Sequence, residues 1–261
     1  MLMKEQILNH LDPALRDDFQ YFDTIDSTNT RAKLLAAQGA PHGTILIADH
    51  QTGGRGRLGR TFLSPAGTGV YMSVILRPSC PPSQLMHLTC AAAVAACDAV
   101  EGAVGFRPGI KWTNDLVHNG RKLAGILTEL GLSPRGTVDW AVIGIGVNCL
   151  QRSEDFDPAI RSFAGSLSMF APCDRAKVAA ALARKLVNMD LSAKSEIMAR
   201  YRSDCVTLGK EVSLLRADEK PRHGRAVGID EDGALLVEFA PNVVEIINSG
   251  EISIRGMYGY V

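Results

Sequence analysis

An excess of charge of either sign is the first thing this sequence lacks. Lys+Arg and Asp+Glu each number 28 in 261 residues, so the formal net charge is +0. A dedicated nucleic-acid binder needs a strongly basic face, and the balance argues against that class. Paired cysteines are missing as well. Cys80, Cys90, Cys97, Cys149, Cys173 and Cys205 form neither a CxxC nor a Cys/His spacing typical of zinc. Reduced thiols in a cytosol fit this pattern, with Cys90 and Cys97 as small buried hydrophobes on a helix. The first residues, Met1-Leu2-Met3-Lys4-Glu5, contain no uninterrupted apolar h-region, and no stretch is expected to span a bilayer. A cytoplasmic, soluble protein of one or two domains follows. Two nucleotide-binding fingerprints are also absent. No GxGxxG opens a helix at the glycines of Ile143 to Asn148, and Arg60-Thr61 stands where a Walker A loop has Lys-Ser or Lys-Thr.

What is present is concentrated in one stretch. Gln51-Thr52-Gly53-Gly54-Arg55-Gly56-Arg57-Leu58-Gly59-Arg60 follows an apolar strand-like segment, Thr44 to Ala48. Glycine lets main-chain N–H groups approach a ligand, and arginine supplies planar forks for phosphate or carboxylate oxygens. In isolation the string fits a solvated basic turn and an anion-gripping loop about equally. An RGG-like nucleic-acid tether would sit in a long disordered tract, whereas this loop lies between strand-like runs. Its glycines predict a loop that is mobile alone and closes over bound ligand.

The rest of the chain reads in order. Residues 1–19 predict a short helix broken at Pro13, then a strand at Tyr21 to Ile25. Asp26-Ser27-Thr28-Asn29-Thr30 is a helix start with Asp26 or Ser27 as N-cap, whose hydroxyls and N–H groups could equally bond a small polar ligand. A strand from Gly67 to Leu76 and an alanine-rich helix from Met86 to Val100 come next. Gly109 to Val117 and Arg121 to Leu130 predict a hairpin around His118-Asn119-Gly120, with Lys111, Trp112, Asn114, Asp115 and Lys122 on it. Solvated lysines and a solvent-exposed His118 are the plain reading of that hairpin. Ile143-Gly144-Ile145-Gly146-Val147-Asn148 is an apolar strand whose alternate glycines clear one face for a flat ligand or a neighbouring backbone. Two helices, Pro172 to Met189 and Leu191 to Thr207, precede five short strands between Lys210 and Arg255, the pattern of a small barrel. A domain boundary near residue 208 follows.

Taken jointly, six segments resemble bacterial biotin protein ligases: DSTN at Asp26 to Asn29, QTGGRGRLGR at Gln51 to Arg60, KWTNDL at Lys111 to Leu116, KLAGIL at Lys122 to Leu127, IGIGVN at Ile143 to Asn148 and GEISIR at Gly250 to Arg255. Two departures stand out. Thr113 replaces the family's common proline, and residues 1–19 are too short for the winged helix of bifunctional members. The resemblance implies an α+β fold, a class II synthetase-like mixed sheet with helices over 1–208, followed by an SH3-like barrel over 209–261. It implies a monofunctional enzyme without repressor activity. That enzyme would form biotinyl-5′-AMP from biotin and ATP, with Mg²⁺, and transfer biotin to a lysine of a biotin carboxyl carrier domain. No specific DNA or membrane partner is expected, and an edge-to-edge homodimer is compatible with the family. Arg57, Lys122, Lys111 and Asp115 would be the catalytic set, with Asp115 orienting or deprotonating the incoming lysine. Ser27, Thr28, Asn29, Gln51, Arg55, Gly56, Arg57, Lys122, Gly125 and Leu127 would bind biotin. Arg55, Arg57, Arg60, Lys111, Trp112, Asn114 and Asn148 would bind ATP and the adenylate. Lipoate or octanoate ligases share the implied fold but lack this GRGRLGR loop. A non-catalytic biotin sensor or DNA-binding regulator is the alternative from another class.

Overall fold

The computed structural model describes residues 3–215, 220–248 and 253–256. Strand-forming segments gather into two sheets. The larger has seven strands in the order β1-β2-β3-β7-β6-β5-β4. Its members are β1 (Phe19–Ile25), β2 (Ile45–Gln51), β3 (Gly69–Leu76), β4 (Gly109–Lys111), β5 (Asp115–His118), β6 (Arg121–Leu132) and β7 (Val138–Asn148). β1 and β2 run parallel and every other neighbouring pair is antiparallel. The second sheet, ordered β11-β10-β9-β8-β12, contains β8 (Glu211–Leu215), β9 (Arg222–Ile229), β10 (Leu235–Ala240), β11 (Val243–Ile247) and β12 (Ser253–Gly256). The expected α+β architecture and small C-terminal β-unit are therefore present. Gly250 to Ile252 of the GEISIR segment lie outside the described residues.

The two-residue period of the strands decides which face holds the core. Val70, Met72, Val74 and Leu76 of β3 and Ala141, Ile143, Ile145 and Val147 of β7 pack on one side with α3 (Leu88–Val104) and α4 (Arg175–Val187). On the opposite side, Leu46, Ile75 and Val142 meet Ala32 and Ala36 of α2 (Thr28–Ala37). α2 covers only part of that side. Beyond its first turn the same sheet face carries Tyr71, Ser73, Gly125, Gly144 and Gly146, and there the cleft opens.

Helix α1 (Met3–His10) packs on α4, and α5 (Lys194–Asp204) packs on α3. Contrary to the composition-based reading, Pro82–Val104 is long and apolar enough to cross a membrane. Its alanines and cysteines are buried against α4, α5 and the sheet, so its apolarity is that of a core helix. Cys90 and Cys97 are buried as expected, and burial pushes the Cys90 thiol up to about 12. The predicted single strand from Gly109 to Val117 is two strands, β4 and β5, separated by a turn at residues 112–114 with a cis Trp112–Thr113 peptide. Asn119 and Gly120 take the positive φ that their hairpin turn requires, 47° and 75°. His118 is not a solvated turn residue. Its ring lies 4.3 Å from Phe106 and 4.8 Å from Phe170, centroid to centroid.

Candidate active site

The arginine and glycine loop closes one side of the cleft. Gly53 N–H bonds Asp26 O at 2.8 Å, Gly56 N–H bonds Arg60 O at 2.8 Å, and Phe62 N–H bonds Gly54 O at 3.0 Å, folding the loop back on itself. Residues Arg57–Gly59 form a 3-10 turn, with Gly59 at φ 74°. Gly54 is required sterically, because a Cβ there would overlap Phe62 O. Arg57 reaches from this turn to the β4–β5 turn, donating to Asn114 Oδ1 at 2.9 Å and to Thr113 Oγ1 at 3.4 Å. Burial lowers its affinity for a proton, and the nearby Asp115 charge opposes that effect. Asn114 is itself fixed to β6, its Nδ2 donating to Ile126 O at 2.8 Å.

The floor brings three cations to one place. Lys111 at the end of β4 is buried, and Lys122 near the start of β6 pairs with Asp115 Oδ1 at 2.7 Å. Lys111 and Asp115 are register partners in β4 and β5, which sets both beside Arg57 without any sequence proximity between loop and hairpin. Arg60 also lines the cleft, and Arg55 does so from an exposed position. Trp112 lines it too, while its Nε1–H donates to Gly233 O at 2.8 Å, tying the cleft to the turn between β9 and β10.

The facing wall is uncharged. Ser27 caps α2, its hydroxyl accepting Thr30 N–H at 3.4 Å. Gln51 Oε1 accepts Thr28 N–H at 2.8 Å, and Gln51 Nε2 donates to Ser64 Oγ at 2.9 Å. Both amide ends are thereby fixed in orientation. Gly56, Gly125 and Leu127 line the same cavity. Asn29 is held entirely by protein: Oδ1 accepts from the buried Ser73 hydroxyl at 2.6 Å and Nδ2 donates to Glu129 Oε2 at 3.0 Å.

All the expected site residues except Asn148 line this one cleft. Asn148 is buried at the end of β7, its Nδ2 donating to Gly165 O at 2.9 Å and its Oδ1 accepting from Gln151 at 3.3 Å. Side chains that sequence reading did not single out are also here. Phe62 lies over paired Gly125 and Gly146, where a Cβ on Gly146 would overlap its ring, and Gly144 makes room for the Asn29 amide. The alternate glycines signalled a cleared face; nothing local named the ring that fills it. Tyr201, fully buried on α5, donates to Thr113 O at 2.8 Å and so supports the turn that Arg57 grips.

A clamp of arginines and lysines beside a wall of fixed hydrogen-bonding groups suits joining an anion to a polar, uncharged ring. Residues 21–148 match the model of the Biotin/lipoate A/B protein ligase family, and residues 207–255 match the Biotin protein ligase C terminal domain. The chain belongs to the biotin/lipoate protein ligase family. It is 36% identical over 235 residues to the bifunctional ligase/repressor BirA of Bacillus subtilis, covering 88% of this chain and 72% of that protein. It is 34% identical to the biotin--[acetyl-CoA-carboxylase] ligase of Mycobacterium tuberculosis, with 87% and 85% covered. The biotin protein ligase of Aquifex aeolicus, solved in complex with biotin and ATP, superposes with a TM-score of 0.75 at 31% identity, over 91% of this chain and 98% of that one. Within the family, the fold and the GRGRLGR loop occur here together with the uncharged wall.

Proposed function

We propose that this chain is an ATP-dependent biotin ligase, forming biotinyl-5′-AMP and passing biotin to a lysine of a biotin carboxyl carrier domain. The observation that carries this reading is the convergence of Arg57, Lys111 and Lys122 on a cleft whose opposite wall is uncharged. Bringing a carboxylate against a triphosphate requires cations held where water is scarce, and the buried Lys111 and largely buried Arg57 meet that need. Pyrophosphate leaves in the first step, and the acceptor amine displaces AMP in the second.

In this reading Arg57 and Lys122 contact carboxylate and phosphate oxygens, with Lys111, Arg55 and Arg60 as supporting cations. Ser27, Thr28 and Gln51 face the biotin ring, with the Gly56, Gly125 and Leu127 backbone beside it, while Asn29 lines the cleft with its amide bonded to Ser73 and Glu129. Trp112 and Asn114 lie on the nucleotide side. Asn148 is retained there by resemblance, and reaching a nucleotide would mean exchanging its bonds to Gly165 and Gln151. Loop opening and closing around ligand belongs to the same proposal. Mg²⁺ enters as part of the MgATP substrate. Among the described residues Asp115 is the one acidic side chain lining the cleft, and it is paired with Lys122, a donor set too small for a resident ion. A division at residue 208, between the ligase-type unit and the barrel, is supported by where the two family models match.

Purified protein is incubated with MgATP, labelled biotin and a biotin carrier domain, with lipoate in a parallel reaction. The expected result is transfer of biotin and not lipoate, reduced at least about 100-fold in Arg57→Ala and Lys122→Ala, in line with removing a preorganised charge. Transfer of lipoate, or biotin binding without adenylate formation, would overturn the assignment.

A further inference from the structure

Two of the six cysteines meet away from the cleft, brought together by the start of β3. Cys149 directly follows β7, and its N–H donates to Thr68 O at 3.2 Å. Cys173 directly precedes Asp174, the N-cap of α4, and Arg175 in the first turn of that helix donates to Gly69 O at 2.9 and 2.7 Å. Thr68 and Gly69 thus anchor both segments, and the side chains of Cys149 and Cys173 interact directly. The two positions differ in access. Cys149 is fully buried, its thiol 3.7 Å from Val147 O, whereas Cys173 is half-buried and lines a surface cavity of about 530 Å³ with Leu150, Asp174, Arg175 and residues of α1. The pairing does not depend on which acceptor, Val147 O or Cys173, takes the Cys149 proton.

Contact with Cys149 lowers the pKa of Cys173; burial and Asp174 oppose that effect, and Arg175 adds to it. On Cys149 the same contact, together with burial, raises the pKa well above the usual thiol value. The accessible sulfur is therefore the one that ionises, and the thiolate is the form that attacks an oxidant. Cys90, Cys97 and Cys205 are buried, and burial holds each of them protonated. We propose that Cys173 and Cys149 form a modification site for hydroperoxides, with Cys173 as the attacking thiol and Cys149 as the resolving one. The Cys173 thiolate attacks one peroxide oxygen, so that an S–O bond forms, the O–O bond breaks and the other oxygen leaves, with a proton, as water or an alcohol. The Cys149 sulfur then displaces the hydroxyl of the Cys173 sulfenic acid, forming the S–S bond and releasing water. Two thiols lose two electrons in all, and one hydroperoxide gains them. The disulfide closes residues 149–173, a loop that backs the cation clamp, since Phe163 O accepts from Lys122 N–H at 2.7 Å and Gly165 N–H donates to Lys122 O at 2.9 Å.

The test treats the purified full chain with hydrogen peroxide, as wild type, Cys173→Ser and Cys149→Ser, then blocks the remaining thiols and maps the peptides by mass spectrometry. The wild type is expected to lose two of its six titratable thiols, with residues 149 and 173 linked, and to regain both with dithiothreitol. Cys149→Ser is expected to stop at a sulfenic acid on Cys173, trapped by dimedone, and Cys173→Ser to leave Cys149 reduced. Where the buried Cys149→Ser substitution prevents folding, the wild type and Cys173→Ser decide the matter alone. Cys80, half-buried like Cys173, is the internal comparison. Absence of the 149–173 link, oxidation of Cys80 ahead of Cys173, or undiminished oxidation of Cys149 in Cys173→Ser would overturn the proposal.

Discussion

Asp115 is the residue whose role changes most between sequence and structure. Read along the chain it is a candidate base for the acceptor lysine. In the fold its carboxylate lies 2.7 Å from Lys122 Nζ, so it holds that cation in place, and its charge favours the protonated form of Arg57. The two roles separate experimentally. If Asp115 chiefly positions Lys122, Asp115→Asn slows adenylate formation as well as transfer, by about tenfold or more, because a close charge pair has been cut. Single-turnover kinetics with preformed adenylate then checks the second half alone. A defect confined to that half would assign Asp115 to the amine. Gly146 and Gly144 teach a related lesson at the same scale: each is glycine because a particular side chain, Phe62 or Asn29, occupies the volume its Cβ would need.

At the scale of elements, the β4–β5 turn is where the supports converge. Arg57 grips Asn114 and Thr113 from the loop, Tyr201 bonds Thr113 O from α5, and Trp112 bonds both Thr207 Oγ1, through its backbone N–H at 2.9 Å, and Gly233 O. Four parts of the chain thus meet on one turn. Tyr201→Phe keeps the packing but leaves a carbonyl without its donor, which is expected to cost about 1–3 kcal/mol and to loosen the turn on which Arg57 depends. Calorimetric unfolding measures the first effect and the adenylation rate the second; no change in either would show that the hydroxyl does not support the site. Most elements were legible in advance, since strand alternation, the Ser27 cap and the Asn119-Gly120 turn are local signals. The β4–β5 turn was not, because Lys111, Thr113 and Asn114 read equally well as an exposed strand until α5 and the loop are packed against them.

For the molecule as a whole, pH dependence follows from a histidine that does not line the cleft. His87 is buried before α3, its Nε2 3.1 Å from Leu191 O and its Nδ1 without a partner among the described residues. The carbonyl can only accept, so Nε2 carries the proton in the neutral ring. Burial lowers its pKa, with Lys194 acting in the same direction and Asp232 against it. The unfolded chain therefore takes up the proton first. The stability tied to neutral His87 is complete above the unfolded pKa of about 6.5 and drains away as the pH falls toward the lower folded value. Thermal unfolding of wild type and His87→Gln between pH 8 and pH 5 tests this: the wild type should lose more stability on acidification than the variant, and parallel curves would exclude His87 as a source.

The sequence by itself determined the arginine and glycine loop, the helix start at Ser27, the lysine-bearing hairpin, the glycine-cleared strand and the family that unites them. These depend on neighbours along the chain, where side-chain period, turn chemistry and motif spacing act. Only the tertiary structure decided that Phe62 lies on the Gly125 and Gly146 pair, that Asp115 holds Lys122, that His118 packs against two phenylalanines and that Ser73 and Glu129 hold the two ends of the Asn29 amide. Each of those contacts exists because the strand order sets β7 between β3 and β6 and carries β5 and β4 along beside it. That order is chosen by burial of the whole apolar face, a long-range quantity that no local pattern encodes.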